Sequence, residues 1–209
     1  LFVPNGLFVY ICIMNYKHNK EQVVKKGMEL FWAKGFHKLG INEICKETGM
    51  TKGAFYNSFE SKESFLLTTI TAYGELLVVH LQSQLKTSKL SAFDKLIELY
   101  ENMLKTQTKN NYKGCLVNNI MSEMGSLNNS VAELSAQQFN NFLQVIAPTV
   151  KDAQQNGDLS NSINSDILTE IIHTTFFGFL TRSKGKKDAG HLLMTSFLNT
   201  IKTNKNGNN

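Results

Sequence analysis

The sequence predicts an all-α fold: a small N-terminal three-helix unit containing a helix-turn-helix, followed by a longer body built of helices. Three observations carry that expectation. Apolar residues recur at i, i+3 and i+4 along most of the chain, and no run alternates at the period of a strand. Residues that start and stop helices stand where the periodicity changes, among them Gly35, Gly49, Thr51, Ser61 and Gly157. With 14 Gly and 2 Pro in 209 residues, no long disordered or collagen-like segment is expected.

Taken in order, Leu1 to Met14 (LFVPNGLFVYICIM) is apolar and uncharged, and it contains Pro4 and Gly6. It is too short for a membrane span and lacks the basic start of a signal peptide. The expectation is that translation begins at Met14 and that residues 1–14 are a start-site extension. A short anchor or packing arm is the alternative.

A first helix is expected from Asn19 to Lys34, with Val24, Gly27, Met28 and Phe31 inward and Gly35 as its stop. The pair Ile41 to Phe59 (INEICKETGMTKGAFYNSF) follows. Ile41, Ile44 and Cys45 share an inner face, and Gly49 ends that helix because glycine enters the left-handed conformation without steric penalty. Thr51 can cap the next helix. There Phe55 and Phe59 point inward, while Lys52, Ala54, Tyr56 and Asn57 face out. A short helix that displays Lys, Tyr and Asn, braced by its predecessor through a tight turn, is the helix-turn-helix pattern. An ordinary helical hairpin is the alternative.

Ser61 can cap a long helix to about Lys86, with Glu63 favourably placed in its first turn. Lys62 in that turn is unfavourable for the helix dipole unless a phosphate lies there. Further helices are expected after Ser91, broken by the polar run Thr106–Asn111, and from Gly114 to Met124. A longer one, capped by Asn128 or Asn129, is expected to reach Gln155 with a kink at Pro148. Helices over Asp166–Arg182 and Lys187–Ile201 follow, then a polar tail at residues 204–209.

Between Lys17 and Glu63, nine Lys face six Glu, a mild basic surplus in the unit that carries the helix-turn-helix. Cys12, Cys45 and Cys115 form neither a disulfide framework nor a CxxC metal pair, which suits a reducing cytoplasm. No glycine-rich phosphate loop, nucleophile elbow or metal constellation is present, so neither a catalytic function nor a cofactor or metal is expected.

The quoted motifs together resemble the TetR family of bacterial regulators. They are Val23–Phe31, Gly35-Phe36, Ile41 with Ile44, Thr48-Gly49-Met50, Lys52-Gly53-Ala54-Phe55-Tyr56 with Phe59, and Ser61-Lys62-Glu63. The resemblance implies a DNA-binding domain over residues 15–62 and an effector-binding and dimerisation domain over residues 63–203. It implies a dimeric repressor released from a palindromic double-stranded operator by a small apolar or electrophilic effector. Carried over by motif position, Lys52, Gly53, Ala54 and Asn57 lie near bases, and Tyr56 and Lys62 contact phosphates. Gly40 stands where the family often has Thr or Ser, so that side-chain contact is lost or supplied by backbone N–H. The last two long helices would pair with those of a second copy.

Lys113-Gly114-Cys115-Leu116 with Ser122-Glu123-Met124 resembles a branch that includes the repressor of N-ethylmaleimide reductase. That implies an electrophile- or oxidant-sensing role for Cys115, with Lys184 approaching from a later helix. In the first turn of a helix, Cys115 is expected to have a lowered pKa. A small buried apolar role is the alternative, and Cys45 is expected in the core. Tyr100, Phe139, Phe142, His173, Phe176 and Phe177 are candidates to line an apolar effector pocket, or simply core. A helical small-molecule-binding or adaptor protein that does not bind DNA is the alternative function.

Overall fold

The computed structural model describes residues 19–203. The extension at residues 1–14, Cys12 and the polar tail at residues 204–209 lie outside the described residues. The described chain is all-α, with nine helices and a single isolated bridge between Leu159 and Lys202.

Local chemistry sets the boundaries of the first four. α1 (Lys20–Lys34) is capped by Asn19, which accepts from the Glu21 N–H, and is stopped by Gly35 at φ 73°. α2 (Ile41–Thr48) ends on Gly49 at φ 72°, where the Met50 N–H reaches back to the Cys45 carbonyl at 3.0 Å. α3 (Lys52–Phe59) starts under Thr51, whose hydroxyl accepts the Ala54 N–H at 3.1 Å. α4 (Lys62–Thr87) starts under Ser61, which accepts the Ser64 N–H at 3.0 Å. By length and composition α4 is apolar enough to cross a membrane. Here it packs against α1 and α7, burying Phe65, Leu66, Thr69, Ile70, Gly74 and Leu81.

α5 (Ala92–Lys109) runs through the polar stretch expected to break it, to Lys109. The hydroxyls of Thr106 and Thr108 turn back onto the Met103 and Lys105 carbonyls while Gln107 between them is buried, so the polar run continues the helix with one residue inward. α6 (Leu116–Met124) begins at Leu116, with Cys115 as its N-cap. α7 (Asn129–Gln155) is capped by Asn128 and continues through Pro148 as one helix. α8 (Ser165–Lys186) is a turn longer than expected. α9 (His191–Thr200) begins four residues later than expected, because Lys187 and Gly190 both adopt left-handed backbone. There Arg182 grips Asp188 with two bonds, at 2.7 and 3.0 Å, which shapes the turn.

The three-helix unit closes on a cluster of rings. Phe65 of α4 lies 5.8 Å from Phe31, 5.4 Å from Phe55 and 4.6 Å from Phe59, centroid to centroid. Gly27 lets the chains approach: a methyl there would sit 2.7 Å from Thr69 Cγ2 and 2.8 Å from Phe65 Cε1. Each ring fully buried in this way contributes roughly 1.5–3 kcal/mol.

Candidate nucleic-acid interface and regulatory site

Anchored by buried Phe55 and Phe59, α3 turns its other face to solvent. Lys52, Gly53 and Asn57 are exposed, Ala54 is half-buried, and Tyr56 is 48% exposed with its ring edge-on to Phe55 at 5.7 Å. A methyl added at Gly53 would meet nothing within 4 Å, so the backbone itself can come close to a partner. Lys25, Lys38, Lys46 and Lys52 of the three-helix unit are exposed, and among the described residues none is within ion-pair distance of a carboxylate. Gly40 caps α2 with no side-chain bond, leaving the first N–H groups of α2 without a protein side-chain partner there.

Lys62 goes elsewhere. Its ammonium donates to the Phe36 carbonyl at 2.9 Å and the Leu39 carbonyl at 3.0 Å, and it sits 4.0 Å from the centroid of the Phe36 ring. Burial lowers its pKa, and attraction to Glu123 works against that. Two of its three donors are spent inside the protein, so Lys62 clamps the link between α1 and α2 and keeps one donor for a further contact.

Cys115 also departs from expectation. The thiol is 5% exposed, and burial raises its pKa, outweighing the groups that favour a thiolate. Those groups are all present. The backbone N–H groups of Asn118 and Val117, the Tyr73 hydroxyl and the charge of Lys184 each favour the thiolate. Tyr73 Oη is 3.7 Å from Sγ. At rest Cys115 is a neutral, covered thiol in a shell suited to an anion. Lys184 approaches as expected, donating to Asn119 Oδ1, while Asn119 Nδ2 donates to the Lys113 carbonyl at 2.7 Å. In the segment before Cys115, Asn111 and Tyr112 have φ of 53° and 55° and Gly114 has 78°. Such backbone at non-glycine residues costs on the order of 1–3 kcal/mol each and persists only when held. Gln107 holds it through the Gly114 N–H at 2.9 Å, and Trp32 of α1 donates to the Gly114 carbonyl at 3.1 Å. Cys45 is buried in the three-helix unit, as expected.

The six aromatic candidates come together, though as a packed cluster. His173 lies 4.8 Å from Phe177, 5.4 Å from Phe176, 5.6 Å from Phe139 and 6.3 Å from Phe142, ring to ring. The Tyr100 hydroxyl is 3.2 Å from His173 Nδ1. Two clefts, about 330 Å³ between α4 and α7 and about 240 Å³ between α4 and α5, are lined by none of them. The expected pocket residues pack ring against ring, so a ligand entering there would have to part them. His173 Nε2 is buried without a protein partner. Among the described residues no group of three His, Cys, Asp or Glu could hold a metal. Sequence reasoning passed over Trp32, Tyr73, Gln107 and Glu123 as site residues. Of these, only Glu123 carried a signal: an acid in the last turn of a helix, where the dipole opposes it.

Comparison with known proteins matches the description "Bacterial regulatory proteins, tetR family" over residues 23–69 and "Tetracyclin repressor-like, C-terminal domain" over residues 92–195. The transcriptional regulator AcuR of Cereibacter sphaeroides is 27% identical over 166 residues, 78% of this chain and 75% of that one. Among solved structures, a regulatory protein TetR from Rhodobacter sphaeroides superposes with a TM-score of 0.80 at 24% identity, covering 88% of this chain and 98% of that one. The reduced form of E. coli NemR superposes with a TM-score of 0.77 at 19% identity, covering 90% and 98%. Both structural likenesses are of fold.

Proposed function

The chain belongs to the TetR family of bacterial regulators, and from that premise we propose that it is a cytoplasmic homodimeric repressor, released from its operator by a small or thiol-reactive effector. Residues 15–62 form the DNA-binding head and residues 63–203 the regulatory body. The observation that carries the reading is the exposed face of α3. Lys52 and Asn57 read base edges, Gly53 and Ala54 let the backbone into the major groove, and Tyr56 donates to phosphate. The spare donor of Lys62 can reach a phosphate only from its clamped position.

The dimer reading rests on α8 and α9. Ile167 and Ile171 are exposed on one stripe of α8 with Gly178 and Gly185, and a methyl at either glycine would meet nothing within 4 Å. Leu192, 70% exposed, and Leu193 continue the apolar surface on α9. A second copy laid on this face covers it and lets two helices approach closely. Two heads then meet two half-sites.

The effector reading has two supports. Cys115 sits among groups that favour its thiolate once the thiol is reached, with the charge of Lys184 nearby. Tyr100, Phe139, Phe142, Phe176 and Phe177 surround His173, whose unpartnered Nε2 offers a polar anchor to an apolar ligand.

Two measurements test this. Affinity for the duplex upstream of its own gene falls steeply with salt; Lys52→Ala, which removes a cation, lowers the slope of log K against log salt by about one, while Tyr56→Phe, which removes a neutral donor, weakens binding at every salt concentration with the slope unchanged. A wild-type slope for Lys52→Ala together with wild-type affinity for Tyr56→Phe would sink the assignment of α3. Footprints on the same duplex disappear when N-ethylmaleimide is added to wild type and persist with Cys115→Ser. Equal release of both removes the cysteine from the mechanism and leaves the repressor in place.

A further inference from the structure

α6 carries an acid in its last turn, with no base there to offset the dipole. The carboxylate of that acid, Glu123, accepts the Phe36 N–H at 2.9 Å and the His37 N–H at 2.9 Å, from the link between α1 and α2. Gly35 admits it, since a methyl there would lie 3.1 Å from the Glu123 carboxyl carbon. Lys62 grips the same link from the other side through the Phe36 and Leu39 carbonyls. The segment from Gly35 to Leu39 is thus held between the first turn of α4 and the last turn of α6. The far end of α6 is tied to the head as well, through Trp32 and the Gly114 carbonyl.

We propose that Glu123 is a positioning residue for DNA recognition, its carboxylate fixing the angle at which the regulatory body presents the helix-turn-helix. The proposal rests on DNA binding by the head and is independent of what the effector is. A carboxylate accepts two converging N–H groups at full strength. An amide can accept with one atom only and turns its own N–H₂ toward the other donor; alanine accepts neither. The effects are therefore graded, with glutamine between glutamate and alanine.

The test uses the full chain as wild type, Glu123→Gln and Glu123→Ala, with a duplex enriched by the wild type from a random library. Derivatives of that duplex carry one base pair more or fewer at the centre. Wild type loses at least about tenfold in affinity on the altered spacings, because half-site separation is a geometric requirement. The Gln variant discriminates less and the Ala variant least. Amide hydrogen exchange at Phe36 and His37 speeds up in the same order, while amides of α8 keep wild-type rates. Unchanged exchange at Phe36 and His37 in the Ala variant overturns the clasp. Faster exchange with an unaltered spacing profile overturns the positioning role. A wild type that enriches no duplex removes the DNA-binding reading and the proposal together.

Discussion

Phe65→Ala is expected to destabilise the head by roughly 3–5 kcal/mol, the usual range for removing a fully buried phenyl ring. Total stabilities of single domains are only about 5–15 kcal/mol, so this one change takes a large part of the margin. The reason is position. Phe65 is fully buried and touches Phe31 of α1 and Phe55 and Phe59 of α3, so it is the floor on which the recognition helix rests. Duplex affinity should fall with it, while ultracentrifugation should still find the oligomer of the wild type, because α8 and α9 do not touch this cluster. Gly27→Ala gives a second handle. Alone it overpacks the site against Phe65 and Thr69, typically at a cost of about 1–3 kcal/mol. In the double variant the added methyl enters space the ring has left, so the two losses are less than additive. Urea melts of the four proteins measure the coupling. Additivity, or a Phe65→Ala melt within about 1 kcal/mol of wild type, would show that the rings do not bear on one another as described.

What was legible in the sequence was what depends on near neighbours. Thr51, Ser61 and Asn128 cap helices through bonds to N–H groups three residues on, and Gly49 stops one through its own backbone. Inward and outward faces followed from periodicity, which is why Phe55, Phe59 and Cys45 fell inside and Tyr56 outside. Distant partners left no trace. Lys62 reads locally as a cation waiting for phosphate, yet its carbonyl partners are 26 and 23 residues away. Glu123 reaches back 87 and 86 residues. Cys115 shows how a local rule can be right and still lose. The nearby N–H groups and Lys184 pull its pKa down, and burial, which periodicity does not measure, pushes it further up. The aromatic stripe fails for a related reason: spacing says which rings face inward, and packing decides whether they leave a hole. The late start of α9 depends on Lys187 taking a left-handed conformation, which a lysine does not advertise.

Acidification is expected to destabilise the body through His173. The ring is 1% exposed, enclosed by Phe139, Phe142, Phe176 and Phe177, and its Nδ1 faces the Tyr100 hydroxyl. Burial pushes its pKa down to about 3 from an ordinary 6.5. Between those values the unfolded chain binds a proton that the folded chain refuses. Stability from this group is therefore complete above the unfolded value, and it drains away as pH falls toward the folded one. The slope approaches about 1.4 kcal/mol per pH unit, so a step from pH 7.5 to pH 5 removes roughly 2 kcal/mol. Glu101, held low by bonds from Lys105 and Thr195, and Asp188, held low by Arg182, lose stability in the same direction. Their window begins near the ordinary carboxylate pKa values, below most of the histidine window. His173→Gln keeps a partner for Tyr100 and has no proton to gain. Its melts should start lower at pH 7.5, because the packing of the ring is lost, and then fall by about 2 kcal/mol less than wild type on going to pH 5. Parallel pH profiles for the two proteins would mean that His173 is not the group that titrates. The same arithmetic bears on ligand choice. The imidazole stays neutral at physiological pH, and a phenol that donates to Nδ1 leaves Nε2 carrying the proton. The opposite tautomer would strand both the phenol proton and the Nε2 lone pair, so it is disfavoured. A ligand that parts these rings therefore meets a single uncharged donor, and an apolar molecule with one carbonyl-type acceptor satisfies it at the least expense in desolvation.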